Sequence, residues 1–231
     1  MIWKDWEEYL QDSEQTKELY NKVQDIKTIE VPEEYLDLWK KISFLVQLNK
    51  AKQHQLSEQQ TKECFLELIK RPYFLTTIAE AFDVKNIVEV GTAEGLQFFS
   101  FAEYIKQKGY GHVWSCDIRD IRNRKYCEKY NDVTTFCLSN AKDLASQITE
   151  KIDLFYIDAS HDKNAVLADV EKIRQVQSEN PIWIFDDFDV RFGCYYDIQE
   201  LCKKSGSFKI YNVGNTASGN PNHQVVIYGQ L

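Results

Sequence analysis

The sequence predicts an α/β protein in which a helical N-terminal extension precedes a Rossmann-like, mostly parallel, seven-stranded sheet that ends in an antiparallel hairpin. Residues 1–82 contain amphipathic stretches without any strand pattern. From Asn86 onward, short apolar runs alternate with helical stretches, which is typical of a parallel sheet. The last two apolar runs are joined by a loop rich in Gly, Asn and Pro, which indicates a hairpin. We therefore divide the chain into a helical extension or lid, residues 1–71, and a sheet domain, residues 72–231.

The extension contains three amphipathic stretches, Trp6–Val23, Glu33–Leu48 and Ser57–Lys70, each with the spacing of a helix. Pro32 and Pro72 are expected near helix starts, where the N–H that proline lacks would be unpaired anyway. Because nothing in these helices carries readable chemistry, we expect them to cover a site or to form the contact of a homo-oligomer.

The sheet domain contains seven candidate strands. The expected parallel strands are Ile87–Val90, His112–Cys116, Val133–Leu138, Ile152–Ile157 and Ile182–Phe185. The expected hairpin strands are Phe208–Val213 and Gln224–Tyr228. Apolar residues at helical spacing after Asp162, a plausible helix cap, predict the crossover helix between the fourth and fifth strands. A further helix is expected near Phe192 to Lys204.

The composition limits which classes of function the chain can have. With 231 residues and 43% hydrophobic content, the chain suffices for one large domain with a core. A net charge of −8 provides no basic field for a phosphate backbone, so we expect no nucleic-acid partner. The charged N-terminus and the lack of a long apolar run predict a cytoplasmic protein without a membrane span. The six cysteines include no Cys-x-x-Cys pair and are expected to be reduced.

The first predicted strand ends in a turn punctuated by Gly91 and Gly95, a pattern typical of a nucleotide-cofactor loop. A dinucleotide site favours Gly-x-Gly-x-x-Gly, whereas here the two glycines are four residues apart and Ala93 stands in the middle, which argues against NAD. Glu89 could bind a cationic amino group, which S-adenosylmethionine has and NAD lacks. A tight strand-to-helix turn without a ligand is the alternative.

Polar residues follow the next two strands, at the edge of a parallel sheet where ligands bind. Asp117 could accept hydrogen bonds from both hydroxyls of a ribose, or it could serve only as a turn residue. Ser139, Asn140 and Ala141 could contact the edge of an adenine ring, or they could only cap a helix.

Carboxylates also follow the fourth and fifth strands. Asp158, Asp186 and Asp187 would repel one another unless a cation or a proton lay between them, and oxygen ligands favour Mg²⁺ or a similar divalent ion. His161, three residues beyond Asp158, could act as general base, although a loop histidine is often only a polar surface residue. The predicted metal ligands are thus Asp158, Asp186 and Asp187, and the predicted catalytic residues are His161 and Asp158.

From residue 72 onward, the order of elements resembles the class I S-adenosylmethionine-dependent methyltransferases. The stretch from Val88 to Gly95 is similar to their first cofactor motif. The stretch Asp158-Ala159-Ser160-His161, with the later acid pair Asp186-Asp187, resembles the bacterial methyltransferase family 24, whose members commonly show Ile-Asp-Gly-x-His there. Related O-methyltransferases use a metal ion. The sequence departs from these patterns at Ala93 and Ala159, where glycine is usual, and at Asp187, where catechol-type enzymes have asparagine.

The resemblance implies a role for each matching residue. Glu89, Gly91 and Gly95 would hold the methionine part of the cofactor, Asp117 the ribose, and Asn140 with Ala141 the adenine. The full set of predicted cofactor-binding residues is Glu89, Gly91, Thr92, Ala93, Glu94, Gly95, Asp117, Ile118, Ser139, Asn140, Ala141 and Asp158. The motif of the nucleic-acid amino-methylating enzymes, Asn/Asp-Pro-Pro-aromatic, is not matched after the fourth strand, which disfavours base methylation.

These observations predict an S-adenosylmethionine-dependent methyltransferase that uses Mg²⁺ to methylate a hydroxyl of a small molecule such as a sugar, a phenol or a natural-product precursor. One alternative is a metal-independent N-methyltransferase whose acids bind a cationic substrate. Another is a non-catalytic scaffold with a methyltransferase-like fold.

Overall fold

The computed structural model describes Tyr35, Leu38 and residues 58–215 and 221–231, so most of the predicted N-terminal extension lies outside the described residues. The predicted fold class is confirmed: one seven-stranded sheet is mostly parallel and ends in antiparallel strands. Its strands are β1 Asn86–Val90, β2 His112–Asp117, β3 Thr134–Leu138, β4 Ile152–Ile157, β5 Gln177–Phe185, β6 Phe208–Asn215 and β7 Pro221–Tyr228. Its helices are α1 Glu58–Ala81, α2 Leu96–Lys108, α3 Arg124–Lys129, α4 Ala141–Ala145, α5 Ala165–Ile173 and α6 Cys194–Ser205.

The strand order is β3-β2-β1-β4-β5-β7-β6. The chain moves outward from β1 to β3 and then returns to place β4 on the other side of β1, with Val88 opposite Phe155. In open α/β sheets, ligands bind beside such a reversal at the carboxyl ends of the strands, which here are the ends of β1 and β4.

Alternation along the strands gives the sheet two apolar faces. Val88 and Phe155 belong to the core shared with α4, α5 and α6. Ile87 and Tyr156 belong to the opposite core, shared with α1, α2 and α3. Because Asp158 and Asp186 follow the strands in the same alternating positions as Tyr156, the sequence directs both side chains towards the α1 face.

Helix α1 corrects one prediction. Pro72 lies inside this 24-residue helix rather than near its start. Buried Leu75, Ile78 and Ala79 pack α1 against the sheet, and such tertiary packing outweighs the hydrogen bond that proline cannot donate. The helix also crosses the predicted boundary at residues 71 and 72, so Arg71 belongs to an element that packs on the sheet.

Helix α5 corrects a second prediction, because its N-cap is Asn164 and not Asp162. Asn164 has a left-handed backbone and makes no side-chain cap. Instead the buried carboxylate of Asp197, on α6, accepts hydrogen bonds from the N–H groups of Asn164 (2.9 Å) and Val166 (3.1 Å). A capping side chain from another helix leaves no local sequence pattern, which explains why the cap was wrongly assigned to Asp162.

Two composition-based expectations concern these elements. Five of the six cysteines, those at positions 116, 127, 137, 194 and 202, are free thiols. Within the described ranges, none of the helices combines the length and apolar character that crossing a membrane requires.

Candidate active site

The glycine turn that follows β1 lies directly against the end of β4. Gly91 has a φ of +95°, and a Cβ at this position would lie 1.9 Å from the carbonyl oxygen of Asp158. Gly95 has a φ of +90°, and a Cβ there would lie 2.5 Å from the ring of Phe99. Glycine is therefore required at both positions by backbone conformation and by space. Ala93 also has a positive φ, +46°, which accounts for the usual presence of glycine there.

Asp117 organises this turn from the end of β2. One carboxylate oxygen accepts hydrogen bonds from the N–H groups of Thr92 (3.1 Å) and Ala93 (2.9 Å). The other accepts from the N–H of Arg119 at 3.0 Å. A carboxylate offers about four lone-pair sites, so room for about one further donor remains. Glu94, also in this turn, is half-buried.

Glu89 is fully buried below the turn, where the hydroxyl of Ser115 donates to its Oε2 at 2.7 Å. Thr92 Oγ1 lies 2.5 Å from the Ser115 hydroxyl and completes a short chain from the turn to the acid. Burial raises the pKa of Glu89 to about 8. Its second oxygen, Oε1, is buried without a hydrogen-bond partner, which is costly unless a ligand supplies a donor.

The rim beyond β2 and β3 presents apolar and capping residues. Ile118 is 77% exposed, an unusual position for so large an apolar side chain. Asn140 is the N-cap of α4 and accepts a hydrogen bond from the N–H of Lys142 at 2.9 Å, while Ser139 donates to Asp143. Ala141 is buried in the first turn of α4. These contacts show the capping role that the sequence left open for Asn140 and leave its contact with adenine a prediction.

Beyond β4 and β5, two of the predicted metal ligands lie against an arginine. Nη1 of Arg71, on α1, is 3.2 Å from Oδ2 of Asp158 and 2.7 Å from Oδ2 of Asp186. Burial of the guanidinium lowers its pKa, but the carboxylates Asp186 and Asp158 outweigh this effect and raise it above its usual range. Burial, followed by the neighbouring charge of Asp186, raises the pKa of Asp158 well above normal.

Two further side chains complete this cluster. The hydroxyl of Tyr156 lies 3.1 Å from Oδ2 of Asp158 and 3.2 Å from Oδ2 of Asp186. The amide of Gln224, on β7, donates to Oδ1 of Asp186 at 3.2 Å. Burial also raises the pKa of Tyr156 well above its usual value, so the phenol stays protonated and acts as a donor. Asp186 is thus buried with both oxygens hydrogen-bonded.

Asp187 turns away from this cluster and pairs with His161. The left-handed backbone of Asp187, with a φ of +55°, breaks the strand alternation. Its Oδ2 lies 2.7 Å from Nε2 of His161, whose ring is half-exposed and lies against Phe192. The hydrogen bond to Asp187 raises the pKa of His161 above its ordinary value. This pair has the arrangement of a histidine base oriented by a carboxylate.

The geometry does not bring the three predicted metal ligands together as one set. Among the residues that the structure describes, the group whose donor atoms lie within 4.8 Å of one another is Asp158, His161 and Asp187. Asp186 is not part of that group, and its Oδ2 lies 2.7 Å from Nη1 of Arg71. Two carboxylates and an imidazole are ligands that a divalent ion can use, whereas Asp186 offers its oxygens to protein donors.

Residues 88–188 match a family described as Methyltransferase domain. This part of the chain is therefore similar to a methyltransferase domain. A comparison with curated proteins finds no match. Among solved structures, an O-methyltransferase from Bacillus cereus in complex with SAH aligns over 90% of this chain and 96% of its own, at 18% identity and a TM-score of 0.61. The O-methyltransferase TomG from Streptomyces achromogenes, involved in tomaymycin synthesis and bound to SAM, aligns over 94% and 99%, at 11% identity and a TM-score of 0.58.

Three residues of this candidate site were not predicted: Arg71, Tyr156 and Gln224. Tyr156 precedes Asp158 by two positions on a strand, so alternation could have placed it on the same face. Gln224 is a polar residue in a buried strand, which is itself a signal of a buried partner. Arg71 had no such signal, because it lies 87 positions before Asp158 on a helix whose packing direction the sequence does not specify.

Proposed function

We propose that the protein transfers the methyl group of S-adenosylmethionine to a hydroxyl of a small molecule. The observation that carries this proposal is the His161–Asp187 pair, which lies at the strand ends beside Asp158, the residue against which the glycine turn packs. A proton acceptor next to a cofactor turn is what methylation of a hydroxyl requires, since the oxygen must lose its proton as it attacks.

The turn supports the cofactor half of the proposal. The unpartnered oxygen of Glu89 fits the cationic amino group of the methionine part. The remaining lone pair of Asp117 fits one ribose hydroxyl, and exposed Ile118 fits the face of an adenine ring. Bound S-adenosylmethionine supplies a methyl group on a positively charged sulfur.

The His161–Asp187 pair supports oxygen as the methyl acceptor. With Nε2–H donated to Asp187, Nδ1 of His161 carries the lone pair that takes the proton of the acceptor hydroxyl. The Asp187 carboxylate stabilises the imidazolium that forms. The new O–CH₃ bond forms as the C–S bond breaks. The alternative, N-methylation of a cationic substrate, has less support because Arg71 already offsets one of the two negative charges of Asp158 and Asp186.

If a divalent ion binds here, we propose that its ligands differ from the predicted set. The predicted set with Asp186 does not fit an ion in this arrangement, whereas Asp158, His161 and Asp187 do. An ion held there would polarise acceptor oxygens, and it would occupy the imidazole that otherwise serves as base. In our proposal the proton of the acceptor hydroxyl therefore goes to His161, without the help of a metal ion.

Methyl transfer from labelled S-adenosylmethionine to a panel of sugars, phenols and natural-product precursors tests the proposal. We expect an O-methyl product, and His161→Gln should lower the rate by about 10²–10⁴-fold, the usual contribution of a general base. His112→Gln is the matched control, because His112 contacts Thr135 in the sheet and not this site. A product methylated on nitrogen would contradict the proposal and support the alternative, an N-methyltransferase. Cofactor binding with no transfer to any of the panel would favour a binding scaffold.

A further inference from the structure

We propose that Arg71 is the resident cation of this site and takes the place between Asp158 and Asp186 that a divalent ion would occupy. The inference rests on the proposed function only in assigning this cluster to the active site, because the contacts themselves are independent of any reaction. Its consequence is that Arg71 withholds Asp186 from metal ions.

The contacts of Arg71 resemble those of a shared ion. A single nitrogen, Nη1, lies within 3.2 Å of one oxygen from each carboxylate. The Tyr156 hydroxyl lies within 3.2 Å of the same two oxygens and can donate to one of them, and Gln224 donates to the remaining oxygen of Asp186. An ion in this position would need those oxygens at about 2.0–2.6 Å, the range of Mg²⁺ and Ca²⁺ ligands. It could approach them only if the guanidinium moved away.

Charge balance also supports Arg71 as the cation of this site. Two adjacent carboxylates repel each other unless a cation or a proton lies close to both, and a guanidinium supplies a positive charge that is not lost at physiological pH. The Arg71 side chain is only about one-fifth exposed (20%), and that of Asp186 is nearly completely buried (1%). The attraction between them is therefore screened less than at the protein surface, and removing the guanidinium would leave an uncompensated buried carboxylate.

A simpler explanation is that Arg71 only ties α1 to the sheet. The two explanations predict different behaviour when the positive charge is removed and the helix is kept. A structural tie predicts lower stability and no new affinity for ions. A resident cation predicts that a divalent ion can replace the missing charge, using Asp186 as a ligand.

Electron paramagnetic resonance of Mn²⁺, titrated alone into purified protein, measures this difference. The variants are Arg71→Gln, Arg71→Lys and Arg71→Gln combined with Asp186→Asn, with thermal unfolding as the check on folding. Arg174→Gln is the control for a general loss of positive charge, because Arg174 pairs with Glu171 on α5, away from the acid cluster.

We expect Arg71→Gln to bind Mn²⁺ about tenfold more tightly than the natural protein, because ligand charge sets affinity at carboxylate sites. Asp186→Asn should reverse that gain, and Arg71→Lys should retain weak binding. Equal affinity in the natural protein and Arg71→Gln, or a gain that Asp186→Asn leaves intact, would overturn the proposal.

A variant that does not require removal of Arg71 keeps the proposal testable if Arg71→Gln fails to fold. Asp186→Asn in the natural protein should leave any Mn²⁺ affinity unchanged, since an ion on Asp158, His161 and Asp187 does not use Asp186. A clear loss of Mn²⁺ affinity in this variant would show that Asp186 already binds the ion and would contradict our inference. None of these measurements involves methyl transfer, so their failure is distinct from failure of the proposed function.

Discussion

The two halves of the site are built in different ways. The cofactor half, around Gly91 and Asp117, joins a turn to the end of the neighbouring strand through backbone N–H groups. The acid half depends on side chains from three distant elements, with Arg71 on α1 and Gln224 on β7 both contacting Asp186. The first is fixed by backbone geometry and the second by charge balance. Substitutions should therefore affect the first through shape and the second through ions and protons.

The largest effect that we expect is at Gly91, where shape is most restrictive. Gly91→Ala places a Cβ 1.9 Å from the Asp158 carbonyl oxygen in a left-handed conformation. Overpacking and backbone strain together should lower the free energy of unfolding by about 3–5 kcal/mol. Gly109→Ala is the matched control, because Gly109 also has a positive φ, +76°, but open space around it. It should cost about 1–2 kcal/mol from strain alone. Equal losses in chemical denaturation would contradict the close contact at Gly91.

Asp117 should have the next largest effect, since it orders the turn and is expected to contact the ribose. Asp117→Asn weakens its acceptance from the N–H groups of Thr92 and Ala93. Hydrogen bonds to a charged group contribute about 1.5–3 kcal/mol, which corresponds to about 10–150-fold in affinity for S-adenosylhomocysteine. Calorimetry provides the measurement. Asp120→Asn, which changes an exposed acid paired with Arg122, should leave affinity unchanged.

The pKa of His161 tests whether its pair with Asp187 forms in the acid half. Its pKa is raised by the hydrogen bond to Asp187, whereas burial lowers the pKa of His112 and of His223 below the ordinary value. Nuclear magnetic resonance titration should therefore find His161 above, and the other two below, about 6.5. In Asp187→Asn the His161 value should fall. A His161 value that does not change would show that the pair is not formed.

The same pair gives a pH dependence of stability with a defined sign. A histidine whose folded pKa is raised stabilises the fold fully below its unfolded value of about 6.5, and this contribution is lost as pH rises through the folded pKa. The stability difference between the natural protein and Asp187→Asn should therefore shrink as pH rises from about 6.5 through the folded pKa of His161. A difference that grows over this range would contradict the assignment.

Glu89 should have the smallest effect, and it reports on the cofactor half. Its pKa of about 8 means that the carboxyl is largely protonated near neutral pH in the free protein. A cationic amino group beside it would favour ionisation, so cofactor binding should release a proton and strengthen as pH rises towards 8. Calorimetry in buffers of different ionisation enthalpy measures that proton, and Glu89→Gln should abolish its release. Proton release that persists in Glu89→Gln would assign it to another group.

The difference between the halves also explains what the sequence could predict. Strand alternation and the turn glycines are local patterns, and they predicted the sheet and the position of Gly91 correctly. The acids were predicted to gather at one edge, but the sequence could not show that Arg71 would contact two of them. Pro72 was predicted near a helix start but lies inside α1, because tertiary packing outweighed a local signal.

Calorimetric titration with S-adenosylmethionine, in EDTA and again with added Mg²⁺, tests the central claim most directly. We expect binding of equal affinity in both conditions, because Glu89, Asp117 and the glycine turn hold the cofactor without a metal ion, and we expect Asp117→Ala to weaken it. Absence of binding in both conditions, with the protein folded, would contradict the proposed cofactor site.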